Sequence, residues 1–116
     1  MISLEHRFLF IHIPKTGGNS VQNILLEHSE DFVHLAHDKQ DGIERFEIRS
    51  HVYPHRKHSA YAHYQRFIDP ETFDSLYKFA TLRNPWERCV SSYFSPHRGK
   101  RAFDAEEFEF MVRKQI

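Results

Sequence analysis

Residues 14–19, Pro-Lys-Thr-Gly-Gly-Asn, set a cation, short polar side chains and two adjacent glycines between an apolar run and a helical pattern. That composition suits an anion held against backbone. The first amides of a helix lack intrahelical partners, and the helix dipole places partial positive charge there. Gly17 and Gly18 permit close approach and positive φ, Lys15 adds a full charge, and Thr16, Asn19 and Ser20 add short donors. The order differs from the Walker loop, whose lysine follows the glycines and immediately precedes Ser or Thr, so a magnesium-nucleotide kinase is disfavoured. An ordinary tight turn is the competing reading.

A second group lies at residues 83–94, Arg-Asn-Pro-Trp-Glu-Arg-Cys-Val-Ser-Ser-Tyr-Phe. Arg83 closes a strand-like run and stands immediately before a helix signal. If that strand neighbours the first, Arg83 lies beside the glycine turn, at the sheet edge where open α/β folds bind ligands. Arginine suits bidentate phosphate recognition, and Ser91, two turns into the helix, can donate a hydroxyl to the same group. Arg88 points elsewhere by helical phase and reads equally as a surface cation.

The elements that must position these residues follow from pattern. Phe8 to Ile13 reads as a buried strand, and Val21, Ile24, Leu25 and His28 recur at helical spacing. Phe32 to Leu35 and Arg45 to Val52 read as short strands around a turn signal at Lys39 to Gly42. Ser59 to Phe67 reads as a helix; another opens with Asp69 as cap and Pro70 at its first position. Lys78 to Leu82 is a strand. Asn84 caps the helix that follows, Glu87 completes a capping box, and Trp86, Val90 and Phe94 form an apolar stripe. Asp104 and Glu107 repeat the device for a last helix reaching Ile116. The order argues for a single α/β domain, residues 1–116, built on a small, mainly parallel sheet flanked by helices.

Bulk properties exclude several classes. Sixteen acidic and sixteen basic residues balance, so no global field favours nucleic acid or membrane. A basic stretch from Arg49 to Arg66 and a cluster at His97 to Arg101 read as solvated faces. One cysteine, Cys89, excludes a disulfide-stapled fold. No run is long enough for a membrane span, and no secretory signal is visible, so a cytoplasmic chain is expected.

Taken as an ordered pair, residues 10–21 (FIHIPKTGGNSV) and 78–94 (KFATLRNPWERCVSSYF) resemble the sulfotransferases that use 3′-phosphoadenosine 5′-phosphosulfate (PAPS), most closely the carbohydrate-type branch and its bacterial family-2 relatives. Residues 57–79 also look like the segment that precedes the second motif in those relatives. The resemblance implies a P-loop-like three-layer sandwich. It implies that Lys15, Thr16, Gly17, Gly18, Asn19 and Ser20 hold the 5′-phosphosulfate and that Arg83 and Ser91 hold the 3′-phosphate. Asn19 stands where threonine is common. Family members usually continue well past the second motif, so a short or C-terminally truncated member is implied, with a second copy or a partner chain covering that side.

The implied reaction is in-line transfer of a sulfuryl group to an acceptor hydroxyl, expected on a carbohydrate, with adenosine 3′,5′-bisphosphate (PAP) leaving and no metal required. Lys15 is the expected stabiliser of the leaving oxygen. His58 and His51 are the candidate bases, with His58 favoured, while His12 reads as a packed core histidine. Three rivals stay open. One is a PAP- or PAPS-binding protein without independent activity. A metal module would use some of the ten histidines, although no ligand spacing supports it. Nucleic-acid binding rests only on the basic stretch.

Overall fold

The structure is a computed structural model that describes residues 1–40, 43–95 and 102–115, with backbone alone for 36–40, 43–45 and 115. Eleven described elements follow in order: β1 (Ile2–Ser3), β2 (Phe8–Ile11), α1 (Gly18–Leu25) with a 3₁₀ turn at Leu26–His28, β3 (Phe32–Gln40), β4 (Ile43–Arg49), α2 (Tyr61–Phe67), α3 (Pro70–Ser75), β5 (Tyr77–Ala80), α4 (Pro85–Tyr93) and α5 (Ala105–Gln115). The chain is α/β, as expected.

The sheet is mixed rather than mainly parallel. β2 is central, antiparallel to β1 and parallel to β5, with Phe8 opposite Tyr77 and Ile11 opposite Ala80. β3 and β4 form a separate antiparallel pair, Phe32 opposite Arg49 and Gln40 opposite Ile43. The reason is connectivity. A parallel pair needs a crossover of a dozen or more residues, and nothing of that length separates these two strands. The expected turn at 39–42 falls partly outside the described residues, and the basic cluster at 97–101 falls wholly outside them.

β2 reads as an unbroken apolar run because both its faces are covered. Leu9 points to one side, into a core of Ile2, Tyr64, Ile68, Phe73 and Leu76 supplied by β1, α2 and α3. Phe8 and Phe10 point to the other, where Met1, Ile48, Val21, Leu25, Phe46 and Phe79 enclose them. A third cluster joins α4 to α5 through Cys89, Tyr93, Met111, Phe108 and Val112. The stripe expected to bury α4 instead faces outward, with Trp86 67%, Val90 46% and Phe94 40% exposed. α4 has turned its Cys89–Tyr93 face onto α5.

The helix starts follow the sequence closely. Asp69 accepts from the Thr72 amide at 2.9 Å, Asn84 from the Trp86 amide at 3.0 Å and Asp104 from the Glu107 amide at 2.9 Å. The capping box at α4 is not completed through Glu87, whose carboxylate lies 3.4 Å from Arg83 Nε.

Candidate functional site

The parallel register of β2 and β5 brings their carboxyl ends side by side, so residues 12–17 and 81–84 leave the sheet at one edge. Thr16 Oγ1 donates to the Ile13 carbonyl at 2.7 Å and lies 2.9 Å from Thr81 Oγ1, stapling the two exits together. Arg83 Nη1 reaches to within 3.5 Å of the Lys15 carbonyl. Arg88 Nε donates to the Pro14 carbonyl at 3.2 Å. Arg88 is therefore a support of the glycine turn, contrary to the expectation that it points elsewhere. Helical phase described its direction from α4 but not how close the first loop passes.

The turn is left-handed at two points. Lys15 has φ +66° and Gly17 φ +82°. A β-carbon on Gly17 would meet nothing within 4 Å, so its requirement is conformational. Gly18 is different. Its φ is not positive, and a β-carbon there would stand 2.1 Å from His12 Cδ2 and 2.4 Å from His12 Nε2. Gly18 is small because the His12 ring lies against it, not because the backbone bends backwards.

α1 begins at Gly18 with no side-chain cap, whereas α4 is capped by Asn84. Of the two helices at this edge, α1 is thus the one whose Gly18 and Asn19 amides have no side-chain cap, while the Ser20 amide donates to the Gly17 carbonyl at 3.1 Å. Asn19 and Ser20 occupy its first turn. Lys15 is half-buried beside it, and Ser91 is half-buried in α4. Lys15, Thr16 and Arg83 meet where the two strands end, while Ser91 lies two turns along α4.

The histidines are sorted by their surroundings. His12 is 4% exposed, and its Nδ1 lies 2.9 Å from Gln22 Oε1. Burial, aided by the neighbouring His58 and Lys57, holds its pKa down to about 4 against the Gln22 hydrogen bond, which raises it. His58 is exposed, its ring centroid 4.5 Å from that of His12, with Nδ1 3.1 Å from the His12 carbonyl. His58 thus sits where the glycine turn begins. His51 does not; it stacks on Phe32 at 4.5 Å.

The loop carrying His58 is tied down from below. His55 Nε2 meets Asp31 Oδ2 at 2.9 Å with both side chains fully buried, and the same oxygen accepts from the Ile2 amide at 2.9 Å. The Lys57 amide donates to Glu47 Oε1 at 2.6 Å, and its ammonium lies 3.8 Å over the Phe46 ring. His63 Nδ1 accepts from the Ala60 amide at 3.3 Å. The histidines of this stretch are spread over separate tasks, and no group of three or more metal-ligating side chains forms among the described residues. No described helix is long and apolar enough to cross a membrane.

The sequence-family model described as "Sulfotransferase family" matches residues 1–115. The chain belongs to the sulfotransferase family. Neither the curated proteins nor the solved structures yield a match. Sulfuryl transfer is accordingly the chemistry of its class. Sequence reading missed four supports of this sulfotransferase edge: Thr81, Arg88, Gln22 and the placement of His12. Thr81 alone carried a signal, a hydroxyl just past the strand end that runs beside the Thr16 loop.

Proposed function

We propose that this sulfotransferase moves a sulfuryl group from PAPS to a hydroxyl of a carbohydrate acceptor, in a P-loop-like three-layer domain. The observation that carries the reading is the meeting of the two loops: Thr16 on Thr81, Arg83 and Arg88 on the carbonyls of residues 15 and 14. The uncapped start of α1, the open space over Gly17 and a lysine within the turn itself suit a phosphosulfate. Lys15, Thr16, Gly17, Gly18, Asn19 and Ser20 would hold it, and Arg83 and Ser91 the 3′-phosphate.

PAPS, when bound, supplies an activated sulfuryl group. The chain's own task is positioning and charge. Lys15 and the α1 amides stabilise negative charge on the leaving phosphate oxygen, by analogy with phosphoryl transfer. His58, donating through Nδ1–H to the His12 carbonyl, carries its lone pair on Nε2 when neutral and accepts the acceptor's hydroxyl proton there. His51, stacked on Phe32, is the weaker candidate. Removing a charge-stabilising donor of the Lys15 kind costs on the order of 10²–10³ in rate.

Titration with PAP, read by melting temperature and by the fluorescence of Trp86, the chain's single tryptophan, tests the site. Ligand at about 100 times its Kd adds about 2.7 kcal/mol, roughly 10 °C in a domain of this size. Lys15→Ala and Arg83→Ala should each abolish most of that shift. No shift at millimolar PAP in the folded chain would refute the reading.

One observation favours a second reading, a PAP- or PAPS-binding chain that transfers nothing alone. No described strand pairs with the outer edge of β5, where Tyr77 is 73% and Leu82 83% exposed. A second copy or a partner chain covering that edge would complete the site. Turnover with a panel of hydroxyl acceptors separates the two readings.

A further inference from the structure

The two halves of the proposed site come from segments far apart in the chain, the turn at 14–18 and the loop at 54–60. His12 touches both. Its ring lies against Gly18, the first residue of α1, and its Nδ1 bonds Gln22 one turn further along that helix. Its carbonyl accepts from His58 Nδ1 at 3.1 Å, and the two rings meet edge to face at 4.5 Å. The ring also stacks on Phe10 in the core strand at 6.0 Å, so it cannot follow either neighbour freely.

We propose that His12 is a positioning residue for sulfuryl transfer: its buried ring and its carbonyl hold the start of α1 and the base His58 in one register, without His12 itself touching either reactant. This rests on the function proposed above. Packed interiors transmit small displacements because they have little free volume, and misplacement by about 1 Å far from the chemistry can cost on the order of 10²-fold in rate. A ring wedged between cradle and base is placed to have that effect.

His12→Asn tests it. Asparagine presents an amide nitrogen near the position of the ring Nδ1, so the Gln22 bond is preserved while the ring is lost. Imidazole ¹⁵N spectra of the 116-residue chain should show His58 in the Nδ1–H tautomer in the wild type. The variant keeps the backbone carbonyl and loses the ring that aims His58 at it, so that preference should relax toward the mixture of a free imidazole, PAP affinity should fall about 3- to 10-fold, and kcat should fall more than tenfold, all well below the variant's melting temperature. A role in stability alone would lower the melting temperature and move none of these.

Should His12→Asn fail to fold, His12→Gln is measured in the same way, and Gly18→Ala serves as a third probe because it displaces the ring without removing it. An unchanged His58 tautomer together with PAP affinity and kcat within twofold of wild type would overturn the inference. Failure of the wild-type chain to bind PAP would instead remove the underlying reading. The tautomer measurement would then still decide whether His12 holds His58.

Discussion

Gly17 and Gly18 are adjacent and identical, yet the structure requires glycine at each for a different reason, and the two substitutions to alanine should behave differently. At Gly17 the cost is backbone alone. An L-residue at φ +82° loses about 1–2 kcal/mol, offset by about 0.4–1 kcal/mol from the reduced freedom of the unfolded chain. At Gly18 the φ is ordinary, and alanine in a helix ordinarily gains about 0.5–1 kcal/mol over glycine. Here the new methyl would stand 2.1 Å from the His12 ring, which is buried, bonded to Gln22 and backed by Phe10. Overpacking of this kind costs about 1–3 kcal/mol. The net expectation is a loss of about 1 kcal/mol at each position, roughly 3–6 °C in melting temperature.

The distinction appears in the backgrounds. Gly17→Asn should recover about half of the Gly17→Ala loss, because asparagine enters the left-handed region more readily. Gly18→Asn should recover nothing. In a His12→Ala background, Gly18→Ala should change sign and stabilise by about 0.5 kcal/mol, since only the helix preference then remains. Urea denaturation with unchanged m-values measures each of these effects. A neutral or stabilising Gly18→Ala in the wild-type background, or an equal loss with and without the His12 ring, would refute the reasoning.

Arg88→Ala should weaken PAP binding about 5- to 10-fold, the loss of roughly 1 kcal/mol from a half-exposed charge-assisted bond to the Pro14 carbonyl, and calorimetric titration measures it. His55→Ala, which leaves Asp31 buried beside the Ile2 amide, should cost about 3–5 kcal/mol in urea unfolding, whereas a loss below 1 kcal/mol would show that the pair does not anchor the His58 loop. His12 titrates at about 4 in the folded chain and near 6.5 when unfolded, so the unfolded state binds the proton first. Its contribution is intact above about pH 6.5 and falls as pH drops toward about 4, by up to about 3 kcal/mol. Urea midpoints at pH 7.0, 5.5 and 4.5 should show this slope flatten in His12→Asn.

The helix starts were legible because each is written locally: Asp69 before Pro70 and Asn84 before Pro85 put an acceptor and a fixed φ side by side. Two apolar runs each leading to a turn and a helix marked β2 and β5 as strands, but their pairing was left as a condition that only the register of the sheet supplies. What escaped was set by distance in sequence. Nothing within residues 81–94 shows that the Arg88 guanidinium meets a carbonyl 74 residues away, or that Glu87 prefers Arg83 to its own helix cap. Trp86, Val90 and Phe94 have the spacing of a buried face, but α5 draws the Cys89–Tyr93 face inward instead. The His12–Gly18 contact was hidden for another reason: a glycine is read first as a bend, and only the packed ring shows it to be a space.

The arrangement of carbonyls and amides explains why two arginines stand behind a loop that is proposed to bind an anion. A trans peptide directs its N–H opposite to its C=O. Arg88 and Arg83 draw the carbonyls of Pro14 and Lys15 toward themselves, so the amides of Lys15 and Thr16 point away from α4. The left-handed turn at Lys15, φ +66°, is an unfavourable backbone state for a residue other than glycine, and such states persist where surrounding contacts over-determine them. The two guanidinium contacts and the Thr16–Thr81 staple supply that determination. Arg83 thereby has two tasks, shaping the turn in the unliganded chain and meeting the 3′-phosphate proposed above. Arg83→Lys, which keeps the charge but loses the fork, should then weaken PAP binding nearly as much as Arg83→Ala; affinity close to wild type would leave Arg83 no role beyond its charge.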